Sequence, residues 1–133
     1  MYKTGASNIG KAYKQQEILT APPERIVGYL YHGLETYLLQ AKAANDRADV
    51  ARSGEAISRA QGIVWELLGA LNMEQGGAIA QNLSRLYRFM INRLLDASLR
   101  KANEPIDEVL RVLADIQEGW AEIQGQRKPN PGV

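Results

Sequence analysis

His32 is the only imidazole in this chain, and its neighbours bear on whether the protein could transfer a phosphoryl group. Helical bundles that carry phosphate on histidine also hold one reactive imidazole, and they usually place a lysine and a glycine a few residues after it. Here Gly33 is directly adjacent, and Glu35 and Thr36 follow. A histidine on a helix surface is the favoured interpretation, and a histidine phosphotransfer bundle that uses His32 is the alternative.

Other kinds of reactive site lack their residues in this sequence. A di-metal carboxylate bundle needs Glu-x-x-His motifs on two helices, which one histidine cannot supply. Cysteine is absent, so there is no disulfide framework, and a zinc site lacks ligands. Gly76-Gly77 is not a phosphate loop, because no Lys-Ser/Thr follows it. We therefore expect no enzymatic activity, no cofactor and no metal, and we expect a protein that binds a partner.

Charge gives no sign of a nucleic-acid partner. The formal net charge is +1, whereas proteins that bind duplexes usually present a clustered basic face. Basic residues do recur in the third predicted helix, at Arg85, Arg88, Arg93, Arg100 and Lys101. Acidic residues elsewhere cancel them over the whole chain, so we interpret these side chains as a solvated face.

Length and hydropathy predict one domain. A chain of 133 residues with 45% hydrophobic and 23% charged residues has the composition of an ordinary globular protein. No stretch approaches the roughly 20 apolar residues that cross a bilayer, and the first residues lead into no apolar signal. We expect a cytoplasmic protein that does not insert into membranes.

Apolar residues at three- and four-residue steps predict four helices, over about 23–45, 49–73, 77–101 and 105–124. Short links force neighbouring helices to run antiparallel. The predicted fold is all-α: an antiparallel up-down four-helix bundle with an N-terminal segment packed as a cap. The predicted domains are this cap over residues 1–20, the bundle over 21–124 and a disordered tail over 125–133.

The third predicted helix carries more apolar residues than one core face needs. We expect its inner stripe to comprise Ile79, Leu83, Leu86, Met90 and Leu94. Further apolar residues lie off this stripe, so the helix must meet several neighbours, and one of them could be a separate polypeptide.

The first twenty residues combine helix-disfavouring glycines with apolar side chains that suit burial. Burying Tyr2, Ile9, Tyr13 and Ile18 would contribute roughly 1.5–3 kcal/mol each. Ordering the backbone costs about 1–2 kcal/mol per residue, so the two effects nearly cancel. This balance favours a loosely held cap, and the alternative is an arm that simply completes the core.

Four segments in this order resemble the flagellin export chaperones, the FliS family. Ala21–Gly33 is similar to the family's opening "ASPxxLIxMLYDG", and Arg59–Leu67 to its "kAqxIIxeL" helix. Gly76–Tyr87 resembles "GGeIAxNLxxLY", and Arg93–Ser98 stands where the family has "RLlxAN". Trp120 stands near the family's late tryptophan. The resemblance extends over nearly the whole chain.

Three positions depart from the family pattern. Pro23 replaces a polar residue, which the first turn of a helix tolerates. His32 stands where the family often has Asp or Asn, and Ser98 stands where it has Asn. None of these replacements adds to or removes an apolar contact surface.

The resemblance implies a cytoplasmic chaperone of antiparallel helices. Such a protein would hold the C-terminal segment of flagellin, prevent premature polymerisation and support delivery to the flagellar type III export apparatus. The client would fold partly on binding, and the chaperone's N-terminal segment would cover part of the client site beforehand. Export-gate and regulatory proteins are further expected partners, and the expected state is a monomer or a weak homodimer.

The candidate partner-binding residues come from the N-terminal segment and from the second and third helices. Within the helices, Ile57 and Val64 are expected to face inward, whereas Ile63, Leu68, Tyr87 and Ile91 are expected off the main stripe. For each of these positions a role in the core remains as good an explanation as docking. The full set is Tyr2, Ile9, Tyr13, Ile18, Ile57, Ile63, Val64, Leu68, Leu71, Ile79, Leu83, Tyr87 and Ile91.

Overall fold

The computed structural model describes residues 23–127, and within them every regular element is a helix. Helix α1 spans Pro23–Asp46, α2 Val50–Gly69, α3 Gly77–Arg100 and α4 Glu104–Arg127. The predicted all-α class is therefore confirmed. The predicted cap over residues 1–20 lies outside the described residues.

The helices close into a ring around one core. Helix α1 packs on α2, α2 on α3, α3 on α4, and α4 returns to α1. The links, residues 47–49, 70–76 and 101–103, are too short to carry the chain back along a helix, so successive helices run antiparallel. The predicted four-helix bundle is confirmed.

A polar cluster ties the end of α1 to the start of α2 and to the link before α4. Asn45 donates its side-chain amide to Asn103 Oδ1 at 2.8 Å, and Asn103 donates to Asp46 Oδ1 at 2.9 Å. Ser53, almost fully buried, donates to Asn45 Oδ1 at 2.5 Å. Buried polar groups are costly unless they are hydrogen-bonded, so these contacts specify how α1, α2 and α4 meet. Asp49 caps α2 by accepting the backbone N–H of Arg52.

Helix α2 ends earlier than the sequence pattern predicts. The pattern continues to residue 73, but the helix stops at Gly69. Asn72 then organises a turn, because its side-chain oxygen accepts the Gln75 N–H at 3.0 Å and its carbonyl accepts the Gly76 N–H at 2.7 Å. Asparagine side-chain oxygens of this kind compete with helix continuation, so Asn72 favours the turn over further helix.

Gly76 is the residue of this link that tolerates no side chain. A Cβ there would lie 2.5 Å from Ala80 Cβ and 2.6 Å from the Asn72 carbonyl oxygen. We expect Gly76→Ala to lower the free energy of unfolding by about 1–3 kcal/mol, because the turn must shift. Gly62→Ala is the matched control, since nothing lies within 4 Å of a Cβ on that exposed helical glycine. Gly62→Ala should raise the free energy of unfolding by about 0.5–1 kcal/mol, as measured by urea denaturation. Equal effects of the two substitutions on this free energy would contradict the steric argument.

Helix α4 continues beyond its predicted end. It includes Gly125–Arg127, so the prediction of a disordered tail from residue 125 is wrong for these residues. A glycine such as Gly125 weakens a helix without ending it. Residues 128–133 lie outside the described part.

Helix α3 is rotated relative to its predicted orientation. Its buried residues are Ala80, Tyr87, Met90, Leu94 and Ala97. The predicted inner residues Ile79 and Leu86 are instead exposed, Ile79 by 61%. Tyr87, predicted off the stripe, is only 2% exposed, so its assignment to a partner surface is wrong. Its hydroxyl finds a buried hydrogen-bond partner, and this contact allows a tyrosine to lie in the core.

Two further candidate residues of α2 belong to the core. Ile57 and Val64 face inward, as expected, and both are almost completely buried in the central cluster with Leu34, Leu94 and Val109. Buried side chains of this kind lie below the surface that a partner meets. Their assignment as partner-binding residues is therefore corrected to a packing role.

Ion pairs join α3 to α4 on the outside of the core. Arg93 contacts Glu108 at 2.5 Å and Asp96 at 3.2 Å, and Arg100 contacts Asp96 and Glu104, each at 3.2 Å. The prediction that all basic residues of this helix form a solvated face is thus wrong for Arg93, whose side chain lies partly buried between the two helices.

Candidate functional site

An apolar groove runs between α3 and α4 near one end of the bundle. Its volume is about 230 Å³, and its surface is almost entirely apolar. We name it the α3–α4 groove, and it is lined by Tyr31, Ile79, Leu83, Leu86, Asp115, Ile116, Gly119, Trp120 and Ile123. Large apolar side chains that line an open groove are typical of surfaces that bind another polypeptide.

Gly119 helps to make this groove. It follows Ile116 on α4 and precedes Trp120 and Ile123, which all line the groove. A Cβ at Gly119 would meet nothing within 4 Å, so the space beside this residue is open. A larger side chain at this position would project into this open space beside the groove.

Aromatic residues in edge-to-face contact form the floor of the groove. The rings of Tyr31 and Trp120 meet edge to face, with centroids 6.3 Å apart and planes at 83°. Tyr31 in turn shares a 2.7 Å hydrogen bond between its hydroxyl and that of Tyr87. Trp120 Nε1 is buried and has no hydrogen-bond partner among the described residues. The groove floor is therefore continuous with the core and is held by three helices.

Burial raises the pKa of both tyrosine hydroxyls. Desolvation raises the pKa of Tyr31, although the hydrogen bond with Tyr87 acts in the opposite direction. Desolvation also raises the pKa of Tyr87, and there the hydrogen bond to Tyr31 adds to the rise. Because neither hydroxyl ionises near neutral pH, the hydrogen bond between them persists, and the floor carries no charge.

Further apolar side chains lie along the flanks of α2 and α3 that meet each other. On α2, Arg59 stacks on Tyr37 of α1, and Ile63 approaches Gly33 of α1, so these residues mark the side that faces α1. Trp65 and Leu68 occupy the opposite flank of α2, toward α3. Trp65 is 56% exposed, and Leu68 is packed at the edge of the core.

The flank of α3 that meets α2 also carries apolar side chains, closer to the C-terminal end of α3. Arg93 marks the side of α3 that meets α4, because it pairs with Glu108. Ile91 and Leu95, four residues apart, lie on the other flank, and Leu95 is exposed while Ile91 packs against the core. We call Trp65, Leu68, Ile91 and Leu95 the α2–α3 face.

The structure brings some of the sequence-predicted residues together and separates others. Ile79 and Leu83 line the α3–α4 groove, and Leu68 and Ile91 belong to the α2–α3 face. Ile63 lies on the α1 side of α2, and Leu71 is partly buried in the link that follows α2. The four candidates of the N-terminal segment, Tyr2, Ile9, Tyr13 and Ile18, lie outside the described residues.

Sequence reasoning missed most of the groove. The residues not selected as partner-binding are Tyr31, Leu86, Asp115, Ile116, Gly119, Trp120 and Ile123. Three of them, Ile116, Trp120 and Ile123, recur at the three- and four-residue steps that predict the last helix. A glycine in the middle of this wide apolar stripe was the available signal, because it removes the side chain that would otherwise fill the gap.

The other sites considered in the sequence gain no support. The His32 side chain is exposed, and the nearby hydrogen bond is a helical one, in which Thr36 Oγ1 donates to the His32 carbonyl. Within residues 23–127 no group of His, Asp and Glu is arranged to hold a metal ion. No helix in this range has the length and apolarity needed to cross a membrane.

Comparison with known proteins agrees with the sequence resemblance. The family model described as flagellar protein FliS matches residues 6–127. The chain is 40% identical to the flagellar secretion chaperone FliS of Salmonella typhimurium over 118 residues, which cover 85% of this chain and 87% of that protein.

Two further relatives come from other bacteria. The chain is 33% identical to the flagellar secretion chaperone FliS of Vibrio cholerae, over 85% of this chain and 86% of that protein. It is 36% identical to the flagellar secretion chaperone FliSB of Pseudomonas aeruginosa, over 83% of this chain and 90% of that protein. A match that extends over nearly the whole bundle, together with its four helices, shows that this chain belongs to the FliS family of flagellar secretion chaperones.

Proposed function

We propose that this chain binds the C-terminal segment of flagellin, prevents its premature polymerisation and supports its delivery to the flagellar export apparatus. The observation that carries the proposal is an apolar α3–α4 groove on a bundle whose family consists of flagellar secretion chaperones. The chaperone would act in the cytoplasm, before the client leaves the cell.

The shape of the two apolar surfaces suits a client that arrives unfolded. The groove has room for only a few side chains of a client. One short client helix in this groove therefore cannot account for tight binding by itself. An unfolded segment can lie across several surfaces and fold as it binds, burying apolar side chains at each of them. The α2–α3 face offers a second such place on the bundle.

We also propose that the N-terminal segment competes with the client. Tyr31, which lines the groove, lies about 12 Å along α1 from its first residue, Pro23. The chain therefore enters α1 within reach of the groove. Tyr2, Ile9, Tyr13 and Ile18 are the side chains that would cover apolar surface until flagellin displaces them.

Calorimetry with a synthetic flagellin C-terminal peptide tests the proposed function directly. We expect one peptide to bind per chain, with a negative heat-capacity change because apolar surface is buried. Removing the proposed cap by deleting residues 1–20 should strengthen binding, since the competitor is gone. No heat of binding at peptide concentrations up to about 100 μM would contradict the proposal.

Export-gate proteins and flagellar regulatory proteins are the further partners that we propose, with a monomer or a weak homodimer as the binding state. Sedimentation of the free chain and of its flagellin-peptide complex separates these states. A tight dimer that dissociates when the peptide binds would place the client surface at a homodimer interface instead.

A further inference from the structure

A second depression, distinct from both apolar surfaces, lies between the C-terminal half of α1 and the N-terminal half of α2. Its volume is about 380 Å³. Alanines, including Ala44 and Ala56, form part of the floor, and Arg47, Arg52 and Arg59 are in the walls. We name it the arginine pocket. Its depth follows from small residues at positions where two helices meet.

The arginines of this pocket make only weak ion pairs, although Arg59 also stacks on the Tyr37 ring. Arg52 pairs with Asp49 and Arg59 with Glu55, both at 3.4 Å and in solvent-exposed positions. Arg47 makes no ion pair with another residue between positions 23 and 127. Exposed pairs of this length contribute little, whereas a guanidinium that grips a carboxylate through two parallel hydrogen bonds binds it more strongly. These side chains can therefore exchange their present partners for a better one.

The chain's own ends do not suit the pocket. The segment before α1 carries three lysines, Lys3, Lys11 and Lys14, and one glutamate, Glu17. The segment after α4 begins with Lys128 and contains no acidic residue. Like charges repel, so neither segment has the charge that three arginines favour, and the complementary ligand belongs to another molecule.

The spacing of the arginines defines the ligand further. Arg52 and Arg59 are seven residues apart on α2, which places them about 10 Å apart along the helix axis. Carboxylates at positions i and i+7 of a helix have a similar separation and share one face. The alanine floor accepts an apolar side chain between them, and Glu55 in the wall disfavours a ligand as densely negative as a nucleic acid.

We propose that the arginine pocket binds an acidic segment of a partner protein through two carboxylates about 10 Å apart. Arg52 and Arg59 hold the two carboxylates, and Arg47 adds positive charge at the end of the pocket. This interaction surface goes beyond the flagellin-binding role, because the α3–α4 groove lies on other helices.

The probe is an alanine-based helical peptide with glutamates at positions i and i+7, titrated into the ¹⁵N-labelled full chain. We expect saturable shifts of the Arg52 and Arg59 Nε–Hε signals, with a Kd below about 1 mM at low salt. The affinity should fall as salt screens the charges. The same peptide with glutamines in place of the glutamates should give no saturable shift. Failure of the glutamate peptide to saturate would overturn the proposal.

A pair of matched double variants separates the pocket from general charge. The double variant Arg52→Gln with Arg59→Gln should bind the glutamate peptide with an affinity at least about 10-fold lower. This loss corresponds to about 1.4 kcal/mol of binding free energy. Arg85→Gln with Arg88→Gln removes the same charge from exposed positions of α3 and should change the affinity less than about two-fold. Equal losses in both variants would show attraction by net charge alone. Pocket shifts that depend on the concentration of the free chain would show self-association there, and they would also contradict the proposal.

Discussion

Replacing Ile79 by aspartate should weaken binding of the flagellin C-terminal peptide by at least about 10-fold and leave the bundle folded. Ile79 is the most exposed large apolar residue of the α3–α4 groove. In a complex, its aspartate would be buried beside apolar client side chains, in a groove whose lining already includes the carboxylate residue Asp115. An unpaired buried charge is costly, and a 10-fold loss corresponds to about 1.4 kcal/mol.

The same substitution has little reason to unfold the free chain. Ile79 lies in the first turn of α3, which holds no acidic residue at present. An acidic side chain there interacts favourably with the positive end of the helix dipole, by about 0.3–1 kcal/mol. The loss of binding and any loss of stability can therefore be separated by denaturation and calorimetry on the same variant.

Leu39→Asp is the matched control. Leu39 is a half-exposed apolar residue of α1 that belongs neither to the α3–α4 groove nor to the α2–α3 face. Its replacement introduces the same charge and removes the same kind of surface. Peptide affinity should then stay within about two-fold of the unmodified chain. If Ile79→Asp leaves peptide binding unchanged, the α3–α4 groove is not the client site.

Replacing Trp120 by alanine should lower the free energy of unfolding by about 2–4 kcal/mol. The indole packs against the core cluster and meets the Tyr31 ring edge to face, so its removal leaves a void below the groove. Part of the cost is offset, because the buried Nε1–H that lacks a hydrogen-bond partner in the described chain disappears with the ring. Urea denaturation monitored by circular dichroism measures the change.

The chain's other tryptophan provides the control. Trp65 is more than half exposed on the α2–α3 face, so Trp65→Ala should cost less than about 1 kcal/mol. Trp120→Phe tests the unpaired indole in a second way, because it retains an aromatic ring and removes the N–H. We expect its cost to be below about 1.5 kcal/mol. Similar losses for Trp65→Ala and Trp120→Ala would show that the aromatic floor does not support the core.

These two predictions concern one structural unit. Trp120 belongs both to the groove and to the edge of the core, whereas Ile79 belongs to the groove and is exposed. A client that binds in the groove therefore contacts a floor that is stabilised by the hydrogen bond between Tyr31 and Tyr87. Binding should consequently raise the unfolding temperature, because the ligand interacts with the folded chain only.

The helices, their order and their antiparallel arrangement were accessible from the sequence. Apolar residues at three- and four-residue steps define an inner face for each helix, and glycines, asparagines and a proline mark the links. The family was accessible as well, because Gly76–Tyr87 and three other segments resemble the FliS pattern in the right order. Each of these signals is local, or depends only on the order of segments along the chain.

The rotation of α3 was not accessible in the same way. Ile79, Leu83, Leu86 and Leu94 make a helical stripe as regular as the one that the structure buries. The choice between the two stripes depends on what the neighbouring helices offer. Tyr87 can lie in the core because the hydroxyl of Tyr31 on α1 is 2.7 Å from its own hydroxyl. The spacing of apolar residues within α3 contains no information about this partner.

The sequence by itself determined a four-helix bundle of the FliS family with more apolar surface than one core requires. Only the tertiary structure decided where the additional apolar surface lies. It forms the α3–α4 groove, in which Gly119 leaves space beside Trp120. The physical reason is that periodicity fixes which residues share a helix face. Contacts between helices that are distant in sequence then decide which face is buried.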